Sequence, residues 1–470
     1  MYTLGIDSST QSIKALVYDC TACKVVKTVS VNFGKELPQF GSPDGFLPSP
    51  DALVRQANPL MWLAALDLVL KKLQSAFDVS LIDAIGGDGQ QHGSVYLNST
   101  WPETLARMEA AGGEETLEKL FAGCFSRRVA PIWMDSSTTA QCRHLMEKFG
   151  DRVRRETGSP PIERFTLPQI MKFAEEEPAA YGSTVRIHLV SSFLASVLSG
   201  ADAPIDTGDG AGMNALDLGK LEWSEDICSF AAPDVLDKLP GVFRPEDKSP
   251  LRLSRYFTRY GFRAGIPVAP FTGDNPASLV GTGSEKPGVA VISLGTSDVF
   301  FAAMPSFQTD PAGYGHVFGN PFGGFMSLAC VKNGSLAREK VRAGLGVDYK
   351  FFDETAFELT PPGNGGKRAF PYFEAEITPI HAATGIEANF DWEGACAETK
   401  VRATIEGQIA NIYERTRWIG AFDTIRVTGG ASRSKGIRDT IADIFGAKVE
   451  TLDVPDSAAL GGALIAQRQL

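Results

Sequence analysis

Two turns rich in hydroxyl groups are the first candidates for chemistry in this sequence. They are "SSTQ" at 8–11 and "GTS" at 295–297, and each lies between two apolar runs. The hydroxyl and backbone N–H groups of such a turn can converge on an anion, and on phosphate in particular. The candidate ligands are Ser9, Thr10 and Gln11 in the first turn, and Gly295, Thr296 and Ser297 in the second.

The two turns together indicate more than either does alone. Ser, Thr and Gly are common in ordinary β-turns for conformational reasons, so a single turn of this kind is best explained that way. Two of them, one in each half of the chain, could bind a polyphosphate in a cleft, with Asp7 placed to hold a hydrated Mg²⁺.

A third segment, "TGGASRS" at 428–434, strengthens the nucleotide hypothesis. Gly429 and Gly430 would let the backbone approach a flat nucleoside, and the following helix N-terminus would add N–H donors. Neither GxxxxGK[ST] nor GxGxxG precedes a helix in this chain, so the common phosphate-binding fingerprints do not apply.

Apolar periodicity predicts the elements that must position these turns. Residues 2–7, 12–19 and 24–33 predict an antiparallel meander, and 288–303 predict a second hairpin. Helical spacing predicts helices at about 59–76, 136–149, 168–177, 190–199, 334–344, 396–420, 434–445 and 457–468. The pattern indicates a mixed α/β fold of two similar halves with a cleft between them, divided near the Pro- and charge-rich segment 239–250.

Composition limits the classes of function. A chain of 470 residues predicts two or three domains, and a net charge of −11 disfavours binding to a nucleic-acid backbone. No signal peptide and no bilayer-spanning run is visible, and seven scattered cysteines fit reduced thiols, so a cytoplasmic location is expected. The C-x-x-C formed by Cys20 and Cys23 has no second pair and no nearby His, so a zinc or redox role is not expected.

Seven motifs give the sequence a family resemblance. They are "GQQHG" (89–93), "WMDSSTTAQC" (133–142), "ERFT" (163–166), "FTGDNPAS" (271–278), "SLGTSD" (293–298), "KNGSL" (332–336) and "VTGGAS" (427–432). Their types and order resemble the FGGY carbohydrate kinases, and among these the animal-type xylulokinases, over nearly the whole chain. The paired hairpins likewise resemble the two phosphate loops of the actin-like, sugar-kinase ATPase fold.

The resemblance implies an activity and a domain plan. The implied reaction is transfer of the γ-phosphoryl group of ATP, with Mg²⁺, to D-xylulose, giving D-xylulose 5-phosphate. The implied domains are 1–250, which would bind the sugar, and 251–470, which would carry the catalytic Asp and the adenosine site. We expect a monomer or homodimer acting on a small sugar, with no membrane or nucleic-acid partner.

The resemblance also assigns residues. Asp274 would be the general base for the sugar hydroxyl, although Asp is equally a preferred helix N-cap and sequence alone leaves the two roles about even. The implied sugar ligands are Gln91, His92, Trp133, Asp135, Arg164, Asp274 and Asn275. The implied nucleotide ligands beyond the two hairpins are Asn333, Gly429, Gly430, Ala431 and Ser434. Tyr349 and Phe351, which follow the helix after "KNGSL", are candidates for adenine stacking, although ordinary core or surface aromatics explain them at least as well.

Three positions depart from the wider family. Ser9-Thr10 stands where many members have Gly-Thr, and Ser137 stands where many have a sugar-binding arginine. Asp88 stands where a small neutral residue is expected, and a carboxylate near a triphosphate is unfavourable unless it is paired.

Other functions fit parts of the pattern. A kinase for another ketose or polyol, such as ribulose or L-xylulose, differs only in a few hydrogen bonds. A chaperone or filament subunit of the same fold is disfavoured by "GQQHG" and "FTGDN". A sugar-binding regulator without catalysis is disfavoured by the presence of Asp7, Asp274 and both hairpins.

Overall fold

The computed structural model describes residues 1–110 and 115–470, which form two compact units. Unit 1 comprises Met1–Gly281, Phe318–Gly323 and Asp456–Leu470, and unit 2 comprises Thr282–Val317 and Gly324–Pro455. The division falls later than the boundary predicted at residue 250, and the last residues of the chain return to unit 1. Asp274 therefore lies in unit 1, and not in the C-terminal half to which the sequence assigned it.

Unit 1 is built on a five-stranded sheet with the order β5-β4-β1-β2-β3. The strands are β1 Tyr2–Ser8, β2 Ser12–Asp19, β3 Lys24–Asn32, β4 Ile82–Gly89 and β5 Thr272–Gly273. The antiparallel meander predicted for the first three strands is confirmed, and β4 and β5 pair in parallel on the other side of β1. Three strands therefore end at the same edge of the sheet.

Unit 2 repeats this plan in a six-stranded sheet with the order β8-β9-β7-β6-β10-β11, whose edge strand β8 continues into the segment Phe318–Gly323 of unit 1. The strands are β6 Val289–Leu294, β7 Asp298–Met304, β8 His316–Gly319, β9 Phe325–Val331, β10 Thr424–Thr428 and β11 Lys448–Thr451. Here β6, β7 and β9 form the antiparallel meander, while β10 and β11 pair in parallel beyond β6. The second predicted hairpin is confirmed.

The predicted long helices are present with small shifts at their ends. Those that support the sheets and the candidate site are α1 Pro59–Gln74, α2 Val190–Ser199, α3 Asp274–Gly281, α4 Ser335–Leu345, α5 Ala397–Thr416, α6 Lys435–Phe445 and α7 Ser457–Gln467. The other helices are Phe33–Glu36, Trp101–Ala110, Leu117–Phe121, Thr139–Phe149, Arg152–Thr157, Thr166–Glu176, Pro178–Gly182, Thr207–Gly210, Glu225–Ala231, Val235–Lys238 and Ala356–Leu359. None of the helices in the described ranges is long and apolar enough to cross a membrane.

Short strands outside the two sheets form pairs of their own. They are Gln56–Ala57 with Ala130–Pro131, Ser94–Asn98 with Thr184–Leu189, Ile205–Asp206 with Val242–Phe243, Leu216–Asp217 with Glu222–Trp223, Ala369–Tyr372 with Gly385–Ala388, and Glu376–Ile377 with Ile380–His381.

Helix α1 shows how local sequence and burial agree in unit 1. The side chain of Asn58 caps its first turn, as expected for Asn at that position. Its leucines at helical spacing, among them Leu63, Leu66, Leu70 and Leu73, are fully buried in the core of unit 1. Burial of leucines at this spacing is the main stabilising contribution of an amphipathic helix.

Helix α7 packs against the same sheet at unusually close range. A Cβ atom on Gly5 would collide with the carbonyl oxygen of Ala459, and one on Gly86 would collide with that of Gly462. Only glycine permits this approach of a helix to strands β1 and β4. The C-terminal helix is thus an integral part of unit 1, although unit 2 precedes it in the chain.

Candidate active site

Three aspartates meet at the carboxyl edge of the parallel strands of unit 1. Asp7 on β1 pairs in register with Asp88 on β4, and Gly273, next to Asp274, pairs with Gly89. Asp7 and Asp88 are buried, whereas Asp274 keeps partial exposure. Carboxyl ends of parallel strands are the usual position of ligand sites in α/β proteins. The topology thus brings together carboxylates that are far apart in the sequence.

Asp274 has the protonation properties of a general base. Burial and the nearby charge of Asp7 raise its pKa to about 7, although the backbone N–H groups of Asn275 and Gln91 favour the charged form. A base with a pKa near the working pH is the most effective for proton transfer. Helix α3 begins at Asp274 itself, so the position before its first turn falls on Gly273. The side-chain amide of Asn275 bridges to Asp274 Oδ1 at 3.0 Å and to Gln91 Oε1 at 2.8 Å.

Asp7 lies in a hydrogen-bonded network of its own hairpin. The hydroxyl of Ser9 donates to both carboxylate oxygens of Asp7, at 2.7 and 2.8 Å. Lys14 Nζ lies 2.7 Å from Asp456 and 3.9 Å from Asp7. Burial raises the pKa of Asp7 above its usual value, while Ser9 and Lys14 act in the opposite direction. Ser9, assigned to phosphate by the sequence, is here engaged with a carboxylate.

The structure gives a physical account of the unexpected Asp88. Its pKa lies well above the usual value because the carboxyl is fully buried and faces the charges of Asp7 and Asp274. A protonated Asp88 is neutral and can donate a hydrogen bond to Asp7. Burial and the neighbouring carboxylates therefore disfavour a negative charge at this position.

His92 is held in a fixed orientation. Its backbone adopts a left-handed φ of 69°, its ring stacks on Phe165 at 4.3 Å, and Nδ1 lies 2.7 Å from the carbonyl oxygen of Gly212. A carbonyl only accepts, so Nδ1 carries the proton in this contact and Nε2 is the acceptor of the neutral ring. Arg164, half-buried, directly precedes Phe165 in the chain, so the "GQQHG" and "ERFT" motifs meet at this stacked pair.

Trp133 and Asp135 differ in the use of their polar groups. Trp133 Nε1 donates to Thr10 Oγ1 at 2.8 Å, and 41% of the residue remains exposed. Asp135 is buried and accepts hydrogen bonds from Arg55 N, from Ser137 N and Oγ, and from Gln169 Nε2. Asp135 thus stabilises its own loop through internal hydrogen bonds, whereas a face of the Trp133 ring remains accessible.

A lysine from a nearby helix contacts Ser137. Lys172 Nζ, from the helix Thr166–Glu176, lies 2.9 Å from Ser137 Oγ. Lys172, Gln169 and Phe165 follow the spacing i, i+3 or i+4 that places residues on one helix face. Lys172 and Gln169 were not among the predicted residues, although this spacing beside "ERFT" was a usable signal.

The second hairpin is fixed to α4 by a buried ion pair. Arg338 donates to both carboxylate oxygens of Asp298, at 2.6 and 2.8 Å, and neither side chain exceeds 5% exposure. The backbone N–H of Ser335 donates to the carbonyl of Gly295 at 3.0 Å. Such a two-pronged pair sets geometry as well as charge. The turn at 295–297 is therefore held from both sides.

A pocket of about 470 Å³ lies beside this hairpin in unit 2. Four of the predicted nucleotide residues line it: Gly295, Thr296, Gly430 and Ala431. The sequence analysis missed several of its other lining residues, among them Leu336, Glu339, Arg342, Phe352, Asp353 and Ile437. Of the two aromatic candidates Tyr349 lines the pocket, whereas Phe351 lines a different, shallow one.

The remaining predicted nucleotide residues have other surroundings. Ser297 and Asn333 line a neighbouring pocket of about 130 Å³. The amide group of Asn333 binds Glu376 and the backbone of Glu374, so it ties two loops together. Ser434 caps α6 by accepting from Ile437 N, and Gly429 adopts a φ of 89° where a Cβ would collide with Leu294.

A divalent cation would have few protein ligands here. Within the described ranges no group of three or more His, Cys, Asp or Glu side chains could hold a metal ion. Mg²⁺ commonly uses one or two carboxylates together with substrate phosphates and water. The Asp7 carboxylate, adjacent to the first hydroxyl-rich turn, fits that mode.

Sequence comparisons agree with this arrangement. The model of the FGGY family of carbohydrate kinases, N-terminal domain, matches residues 128–281, and that of its C-terminal domain matches residues 290–470. A xylulose kinase of Rattus norvegicus is 40% identical over 98% of this chain and 87% of its own length. Xylulose kinase 2 of Arabidopsis thaliana is 39% identical over 98% of this chain and 86% of its own.

Solved structures share the fold. A xylulose kinase of Bifidobacterium adolescentis superposes with a TM-score of 0.81 at 25% identity, covering 100% of this chain and 92% of that one. A glycerol kinase of Plasmodium falciparum, solved with ADP, gives 0.79 at 16% identity, covering 100% and 89%. With family models matching both parts of the chain, this protein belongs to the FGGY family of carbohydrate kinases and has its two-domain, actin-like ATPase fold.

Proposed function

We propose that this chain is an ATP-dependent kinase that converts D-xylulose to D-xylulose 5-phosphate. The observation that carries the proposal is Asp274, a carboxylate with a pKa of about 7 at the carboxyl edge of the unit 1 sheet. The xylulose kinases that match nearly the full chain at about 40% identity support the choice of sugar. We further propose a cytoplasmic location, which the free state of the cysteines in the described ranges supports.

In the proposed reaction Asp274 acts on the sugar hydroxyl. One of its oxygens accepts the hydroxyl proton as the hydroxyl oxygen attacks the γ-phosphorus of ATP. The bond from that phosphorus to the bridging oxygen breaks, and ADP leaves with the electron pair. Phosphoryl transfer requires mainly positioning and charge stabilisation, so one carboxylate suffices as base. Asn275, bridged to Asp274 and Gln91, would orient this group and a neighbouring hydroxyl.

Sugar recognition is assigned to the residues around His92. Its Nε2 would accept from one hydroxyl, and the guanidinium of Arg164 would donate to two adjacent oxygens. Trp133 would cover an apolar face of the sugar with its exposed ring. Asp135, which is occupied by four internal hydrogen bonds, would shape the pocket without taking a hydroxyl.

Nucleotide binding is assigned to the pocket of unit 2 and to the two hairpins. Gly430 and Ala431 would border the nucleoside, and Tyr349 would stack on the adenine. The ring of Tyr349 is already supported, because the guanidinium of Arg342 lies 4.2 Å from its centre and its hydroxyl donates to Glu339. Mg²⁺, when bound with the phosphates beside Asp7, would neutralise part of their charge.

A second candidate is a kinase for a related ketose or polyol. The specific observation in its favour is the Ser137–Lys172 contact, which replaces the arginine that many relatives place at position 137. A lysine offers a single flexible cation where an arginine offers a fork, so the set of hydroxyls it recognises can differ.

The deciding experiment is an ADP-release assay over a panel of D-xylulose, L-xylulose, D-ribulose, glycerol and gluconate. We expect the highest kcat/KM with D-xylulose, and ³¹P and ¹³C NMR should place the new phosphate on C5. The Asp274→Ala variant serves as the background control. A higher kcat/KM for another panel member would favour the second candidate, and no sugar-dependent release with any of them would contradict both.

A further inference from the structure

The hydrogen bond from Trp133 to Thr10 joins two motifs that sequence analysis treats separately. Trp133 belongs to the motif assigned to the sugar, and Thr10 to the turn assigned to phosphate. The Nε1–Oγ1 distance of 2.8 Å is that of a full hydrogen bond, and both residues lie in unit 1. This contact spans 123 positions of sequence.

The contact determines how the Thr10 hydroxyl can act. The indole N–H only donates, so the threonine oxygen is the acceptor and its own proton is directed elsewhere. A hydroxyl that accepts one hydrogen bond becomes a better donor in the next, because the two bonds polarise each other. Thr10 is thereby prepared as a donor, which is the role that a phosphate oxygen requires.

Thr10 carries the hydroxyl at the tip of this turn that is not committed to Asp7. The hydroxyl of Ser9, the other one at the tip of this turn, is committed to the carboxylate of Asp7. Because Trp133 uses its N–H for Thr10, it can offer a sugar only the face of its ring. The residue is 41% exposed. A sugar bound over this ring would restrict the motion of the indole.

We propose that Trp133 is a positioning residue for phosphate: its N–H holds the Thr10 hydroxyl as a phosphate donor, and sugar covering the indole ring tightens that hold. This inference rests on the proposed kinase function and assigns a linkage between its two substrates. The linkage predicts that sugar improves nucleotide binding through one hydrogen bond.

The test is a double-mutant cycle of Trp133→Phe and Thr10→Val, measured by calorimetry with Mg²⁺ and the non-hydrolysable analogue AMP-PCP. Phe keeps a ring and Val keeps the shape, so each variant removes chiefly the hydrogen bond. We expect each to weaken binding roughly three- to tenfold, the scale of one neutral hydrogen bond. The double variant should be no weaker than Thr10→Val, and saturating D-xylulose should tighten AMP-PCP binding to the wild type more than to either single variant. Thr10→Ser, which keeps the hydroxyl, should restore binding.

The matched control is Trp133→Phe combined with Thr296→Val in the hairpin of unit 2, where the two effects should multiply. Three results would overturn the proposal: a multiplicative loss in the Trp133–Thr10 cycle, a loss confined to sugar KM, or a lower melting temperature with unchanged AMP-PCP affinity. The cycle does not require sugar turnover. A wild-type protein that binds AMP-PCP but phosphorylates no sugar would refute the proposed function and leave the cycle interpretable.

Discussion

Asp274 owes its pKa to its neighbours. It is one of three aspartates at one edge of the sheet, and burial together with the charge of Asp7 raises its pKa to about 7. An isolated Asp titrates near 3.9. The raised pKa of Asp274 favours proton transfer but destabilises the folded protein at high pH. The two effects can be measured separately.

The proposed catalytic role predicts a steep loss of rate in Asp274→Asn. The amide cannot accept the proton, so kcat should fall roughly 10²- to 10⁴-fold, the usual contribution of general-base catalysis. In the wild type the base must be unprotonated, so kcat/KM for the sugar should fall about tenfold per pH unit below the apparent pKa. Initial rates from pH 5 to 9 provide the check. Near-normal turnover in the variant would return Asp274 to the role of a helix-terminal residue.

The same substitution should stabilise the protein at high pH. Because the folded-state pKa exceeds the unfolded one, the folded state binds more protons between pH ~4 and ~7, and stability falls as pH rises through that window. Asp274→Asn removes this loss. We expect its melting temperature to exceed that of the wild type at pH 8 and to approach it at pH 4. Asp226→Asn, at an exposed carboxylate, is a control for the removal of one negative charge.

Arg164 is the residue whose sugar contact is most sharply testable. A guanidinium fork can span two adjacent hydroxyls, which a lysine ammonium cannot reproduce. Arg164→Lys should therefore raise the KM for D-xylulose strongly, with the KM for ATP and the melting temperature nearly unchanged. Steady-state kinetics with each substrate varied in turn will show whether this holds. Unchanged kinetics would mean that Arg164 makes only a surface ion pair, which usually contributes little.

At the scale of elements, each hairpin is held by a contact with a distant segment. The first is tied through Thr10 to Trp133, and the second through Asp298 to Arg338 on α4. The turns themselves are short and rich in small polar residues, which adopt many conformations in an isolated chain. The supporting contacts restrict the conformation of the turns that we propose to bind phosphate.

The second of these contacts predicts a large stability loss in Arg338→Met. Removing one partner of a buried ion pair leaves an uncompensated charge and typically costs about 3–5 kcal/mol. Arg152→Met is the control, because its ion pairs with Glu156 and Asp226 lie near the surface and should contribute no more than about 1 kcal/mol each. Calorimetric melting and hydrogen exchange in β6 and β7 will report the difference. Equal losses in the two variants would argue against the structural role of the Asp298 pair.

At the scale of the molecule, unit 1 is discontinuous in sequence. Its sheet comes from the N-terminal part, and the helix α7 that packs closest to it comes from the end of the chain. Unit 2 is thus inserted between segments of unit 1. The contacts between this sheet and a helix hundreds of residues away are entropically costly to form.

Deletion of residues 456–470 should accordingly damage unit 1 and spare unit 2. Strands β1 and β4 would lose the helix that their glycines accommodate, whereas the strands of unit 2 keep their own neighbours. Hydrogen-exchange mass spectrometry should show lost protection in β1 and β4 with protection retained in β6 and β7. A deletion of equal length within 382–396, in a segment of unit 2, is the control. Preferential loss in β6 and β7 after the C-terminal deletion would contradict this description of the fold.

The sequence alone determined the elements and the family. The meander at the N-terminus, the second hairpin and the long helices were all predicted, because alternation and helical spacing record which side of a local element is buried. The ordered motifs identified the carbohydrate-kinase family and directed attention to Asp274, His92 and Thr296. Apolar periodicity and motifs are properties of short segments. They can be read from the sequence whatever position the segments take in the folded protein.

Only the tertiary structure decided which hydrogen-bond partners the polar groups of the candidate site residues take. Asp135 and Asn333 were predicted as ligands but are occupied by internal hydrogen bonds, while Lys172 was missed. Asp88 became intelligible once its pairing with Asp7 was known. The type of a side chain limits the hydrogen bonds it can make. Which partner it takes and which pKa it acquires depend on the groups that the fold brings close. Local sequence does not encode the distances between these groups.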